Sequence, residues 1–234
     1  GLVQQGFCVR RAEVQNSTVV FQLNFSNNIS FCASISRPNA KPRNVGGNFI
    51  RMLMTKDELI IEIRTAFKNI KLEEGVGLWE GQGIDDYADS ETILKLRKRD
   101  ERNNWNNIPY EDLVDCESSL SFFDAKGMRF CLPKFLIFDI LADEIFKEKG
   151  LYSPDVLFTL SYKLNEEYQK NRFSLLDSKQ IKVVINFLEY KLTEIVKKHK
   201  DYSTNYGSTM DTVFLDNEYI ELDRVINEWK QKLN

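Results

Sequence analysis

SSLSFFDAKGMRFCLPKFLIFDILADEIF (Ser118–Phe146) is the stretch whose reading decides the fold. Leu120, Phe122, Met128, Phe130 and Leu132 alternate with Ser121, Asp124, Arg129 and Cys131. Alternation of period two is the pattern of a strand with one buried face. Asp124-Ala-Lys-Gly127 reads as the turn between two such strands, with Gly127 free to adopt a left-handed conformation. Pro133 cannot donate to a ladder and suits the first turn of a helix, so a helix is expected from Pro133 to about Lys147. Its apolar content exceeds what a one-faced surface helix needs, which places it at the centre of the core. The cations before Gly150 suit a helix C-terminus.

Outward from that stretch, helices are expected over about 56–69, from 91 towards 99, over 110–114, from 154 to 168, from 178 to about 198, and from 214 to 233. Thr55 and Glu58 stand in capping-box spacing before the first. Ile181, Val184, Ile185, Leu188, Leu192 and Ile195 form the clearest helical stripe. Glu73–Tyr87 carries Gly75, Gly77, Gly81 and Gly83 among acidic residues and reads as a loop. It lacks the Lys-Ser/Thr of a phosphate-cradling loop, and its carboxylates would repel phosphate. The expected architecture is α+β, mainly α, with five or six helices around one short antiparallel β-hairpin.

Charge divides the chain. Residues 1–53 hold six basic residues and one acidic, whereas residues 54–234 hold 26 basic and 34 acidic, a net of −8. The first segment, rich in Asn, Ser, Pro and Gly around 37–48, reads as an extension outside the domain, with Met52 or Met54 as the expected start of the protein proper. Residues 54–234 read as one globular domain. An acidic body disfavours nucleic acid, which needs cations against phosphate. No apolar run is long enough to span a bilayer. One His and four cysteines without ligand spacing leave no zinc site. No cofactor is expected, and the thiols fit a reducing cytoplasm.

The order Ile63-Arg-Xaa-Ala-Phe67, Asp85-Asp-Tyr87, Asp100-Glu…Trp105-Xaa-Xaa-Ile108 and Phe123-Asp-Ala-Lys-Gly-Met-Arg-Phe-Cys-Leu-Pro133 resembles an uncharacterised bacterial family of unknown function. That family carries DDY and RFYLP-like elements. The resemblance covers about residues 57–190, with Cys131 where the family is expected to have Tyr. It implies no established activity and transfers no catalytic residues.

Asp85, Asp86, Tyr87, Asp100, Glu101, Trp105 and Arg129 form the candidate functional cluster. Converging carboxylates could hold a hard divalent cation or share a proton. The alternative to such a role is capping and ion pairing, with Arg129 facing Asp124 across the hairpin. Two functions follow. The first is a cytosolic interaction protein, neutralising a basic protein partner in an immunity-like manner. The second is a metal-assisted hydrolase using Asp85, Asp86 and Asp100.

Overall fold

The computed structural model of the chain describes residues 54–206 and 216–233, together with the backbone of three short segments ahead of them. The chain divides into two units, Gly1–Met52 and Leu53–Asn234. In the first, Val14–Gln15, Thr18–Asn24 and Ser30–Ser34 pair antiparallel in that order. The loop expected over 37–48 lies outside the described residues, as do residues 207–212, whereas 201–206 continue the helix expected to end at about 198.

The second unit is helical, with no strand among its described residues. Ten α-helices follow one another: α1 Lys56–Ala66, α2 Leu78–Asp85, α3 Ser90–Arg99, α4 Tyr110–Asp115, α5 Ala125–Ile140, α6 Ala142–Lys149, α7 Val156–Ser161, α8 Glu167–Phe173, α9 Ser178–Tyr206 and α10 Asn217–Gln231. The expected hairpin is therefore absent, and the α+β reading of five or six helices gives way to an all-helical unit. Glu117–Ser121 is a 3-10 turn, and the supposed turn residue Asp124 is the N-cap of α5, accepting the Gly127 amide at 2.7 Å. Asp124 also accepts the Val76 amide at 3.1 Å, tying the preceding loop to that cap.

Burial explains the misleading alternation. Met128, Phe130, Cys131, Leu132, Phe135, Leu136, Ile137 and Phe138 are all buried, so α5 is covered on every side. A helix without an exposed face has no stripe of period 3.6, and a short apolar run then fits either period. Gly127 serves close approach: a Cβ there would collide with the Val76 carbonyl. Pro133 lies inside α5 and cannot donate to the Arg129 carbonyl one turn earlier. Each fully buried Phe or Leu of this helix contributes about 1.5–3 kcal/mol against the cost of ordering it.

Around α5 pack α1, α6, α7, α8 and the 3-10 turn Trp105–Asn107. Helix α9 lies against α1 and α10, and α2 lies against α3 and the Glu117–Ser121 turn. The Thr55 capping box forms as its spacing predicts. Asp177 accepts the Lys179 and Gln180 amides, each at 2.9 Å, at the start of α9. No helix among the described residues is long and apolar enough to cross a membrane.

Candidate functional site

Helix α2 is made of residues that read as a loop. Its glycines face close neighbours instead of turning the chain: Gly81 lies against Ser119, and Gly83 against Ile93 and Leu96. At its N-terminus, Gly77 supplies no side-chain cap. The cap comes from Asp100, at the far end of α3, whose Oδ1 accepts the Trp79 amide at 2.7 Å. A Cβ on Gly77 would occupy the place of the Asp100 carboxylate. The start of α2 and the end of α3 are thereby joined through one acid.

Asp100 is only 7 % exposed. Burial pushes its carboxyl up to about 6, although the Trp79 and Glu80 backbone amides pull it down. Its Oδ2 is buried without a hydrogen-bond partner among the described residues. Glu80 is also buried and pairs with Arg97 at 2.6 Å, and Arg97 reaches Glu74 at 2.9 Å. Arg102 donates to the carbonyls of Glu73 and Gly75, so the loop before α2 is clamped by two arginines.

Trp79 stands half-buried at the edge of a cleft of about 420 Å³. Its indole N–H donates to Asp112 Oδ2 at 3.0 Å, and the Arg99 guanidinium lies 3.2 Å from its ring centroid. Asp100, Glu101 and Arg102 complete the charged lining. Glu101 accepts the Asn103 and Asn104 amides at 2.8 and 3.1 Å and shapes the turn at the cleft mouth.

Asp85 and Asp86 close α2 at its other end. The helix rises about 1.5 Å per residue, so they stand roughly two turns from Asp100, and the carboxylates do not converge. Among the described residues no group of three or more His, Cys, Asp or Glu side chains could hold a metal ion. Asp86 is exposed and accepts from the Gln82 side chain at 3.0 Å. Tyr87 follows at φ +55°, in the left-handed region, with its side chain in solvent at 96 % exposure. Trp79 and Asp86, seven residues apart, share one face of α2.

The other expected residues are structural. Trp105 is buried and donates to the Phe67 carbonyl at 2.8 Å, behind a second cleft of about 380 Å³ lined by Arg64, Lys68 and Asn104. Arg129 does not face Asp124; it donates to Gln180 Oε1 at 3.1 Å and lies 3.8 Å from Asp177, fastening α5 to the start of α9. Burial pushes both described thiols up, Cys116 to about 12 and Cys131 well above its usual value, and makes neither a nucleophile. Sequence reasoning missed Trp79, Arg99 and Asp112, which meet only in the folded chain. Helix α3 falls where the sequence places it, but it buries no residue fully: Ile93 and Leu96 are half-buried against Gly83, and Leu94 is exposed.

No curated protein and no solved structure matches the chain. Residues 55–212 match the model of a family of unknown function (DUF6714), and that span of the 234 residues is enough to say that the chain belongs to this family.

Proposed function

We propose that this chain is a protein-binding domain that docks a basic partner on the outer face of α2, from Trp79 to Tyr87. One observation carries the reading. Tyr87 is almost wholly exposed and held at positive φ, directly after Asp85 and Asp86. A bulky residue in the left-handed region costs about 1 kcal/mol relative to glycine, and here no buried contact offsets that cost. An aromatic anchor beside carboxylates fits a cationic protein surface, since aromatic residues dominate interface hot spots and charge sets partner choice. The net of −8 over residues 54–234 acts in the same direction over longer range.

The test is a peptide array of Lys/Arg-rich, neutral and acidic sequences, read at two salt concentrations with the full chain. The expected result is salt-sensitive binding to cationic peptides that Tyr87→Ala and the double change Asp85→Asn, Asp86→Asn abolish while the melting temperature holds. Equal signal on neutral peptides, or cationic binding that ignores those substitutions, would overturn the proposal.

A further inference from the structure

The cleft at the N-terminal end of α2 already holds one guanidinium. Arg99 lies 3.2 Å from the Trp79 ring centroid with its side chain exposed, whereas its neighbour Arg97 is the arginine that pairs with Glu80 and Glu74. Asp112 is fixed at the ring edge by the indole N–H, and Asp100 and Glu101 line the same cleft. A flat aromatic face flanked by carboxylates suits a planar, delocalised cation better than a compact ammonium. Three acids outnumber the two basic residues of the lining, Arg99 and Arg102, so the cleft has charge to spare for one more cation. Arg99 itself is exposed and sits at the last position of α3, from which its side chain can leave the ring without unfolding the helix.

We propose that this cleft is an arginine-reading pocket, in which an arginine side chain of the basic partner replaces Arg99 on Trp79. The inference rests on the docking reading above and names the side chain that the docking surface recognises. Arg99 is a self-ligand, and it lowers the apparent affinity of any incoming arginine by the fraction of time the ring is occupied.

The experiment titrates the full chain, ¹⁵N-labelled at tryptophan, with acetyl-arginine amide, followed by the Trp79 indole signal. The neutral isostere acetyl-citrulline amide is the control. Removing the self-ligand with Arg99→Ala is expected to tighten arginine binding about tenfold, as for a site nine-tenths occupied in cis. Citrulline is expected to shift nothing, and Arg99→Gln, which keeps a long polar stem, reports the same gain. Equal titrations in wild type and both variants, or equal shifts with citrulline, would sink the pocket. The two readings fail separately. Cationic peptides that still bind through Tyr87 while Arg99→Ala gains nothing refute the pocket alone; loss of peptide binding altogether refutes the docking surface.

Discussion

The Trp229 indole donates to the Leu160 carbonyl at 2.8 Å, and this bond pins α10 to α7. The ring also meets Phe173 edge-on at 5.0 Å and is wholly buried. Yet α10 lies beyond residues 55–212, the span of the family match. Trp229→Ala is expected to destabilise the chain by about 3–5 kcal/mol through cavity formation. Trp229→Phe is expected to lose about 1–3 kcal/mol, from the Leu160 carbonyl left without its donor. Urea titration followed by far-UV circular dichroism measures both.

Asp100 makes stability depend on pH in the direction opposite to most acids. Burial raises its folded value to about 6, above the usual 3.8. Between those values the folded chain binds the proton that the unfolded chain has released, so stability falls as pH rises through 6. The penalty is fully present above 6 and amounts to roughly 2–3 kcal/mol. Asp100→Asn keeps an oxygen for the Trp79 amide and removes the charge. It is expected to equal or exceed wild type at pH 8, with no step near pH 6. Denaturation midpoints from pH 4 to 8 decide this, and a wild-type curve without that step counts against the buried ionisation.

Gly77 and Asp100 occupy one space. Gly77→Ala must displace the carboxylate that caps α2, and the expected loss combines overpacking with a lost cap, about 2–4 kcal/mol. Asp100→Gly/Gly77→Ala is expected to restore part of the loss, because the collision disappears while the cap stays missing. Thermal melts of Gly77→Ala, Asp100→Gly and the double variant give the coupling.

Tyr87→Gly is expected to raise stability by about 1 kcal/mol, since glycine takes the left-handed backbone at no steric cost. The gain is measured as an upward shift in the unfolding midpoint. A large loss would mean that the tyrosine ring packs in solution, contrary to its exposure.

Lys134 is buried against the Tyr110 ring at 4.3 Å and donates to the Asn106 carbonyl at 3.0 Å. Burial lowers its value to about 8, helped by Arg64 and Lys149. The folded chain therefore gives up this proton before the unfolded chain does, and stability rises as pH increases from 8 towards 10.5. Lys134→Met is expected to flatten that rise, read from denaturation at pH 7, 8.5 and 10.

The helices legible in the sequence were those with one wet face. Lys56–Ala66 showed both its capping box and its apolar spacing, and Ser178 onward showed a stripe that burial of Val184, Ile185 and Leu188 bears out. Two others were hidden for opposite reasons. Helix α5 is apolar on all sides, which erases its period, and Pro133 marked an apparent start in its interior. Helix α2 carries two internal glycines, where a Cβ would press on Ser119 and on the tip of the Leu96 side chain. The site followed the same rule. Asp85, Asp86 and Tyr87 were visible as a cluster because they are adjacent in the chain. Asp100 was visible as an acid but not as a cap, because its partner Trp79 lies 21 residues earlier.

The α1–α9 contact sets how this unit folds in time. The Gln180 side chain donates to the Ala66 carbonyl across 114 residues, and Asn186 donates to Glu62 across 124. Closing loops of that length costs entropy before either bond forms, with the cost growing as about (3/2)RT ln n. Helical domains are usually fast folders because their contacts are local. Here the first and ninth helices must find each other across everything between them. The folding rate is therefore expected to resemble that of a mixed α/β domain, despite the absence of strands from the described part of this unit.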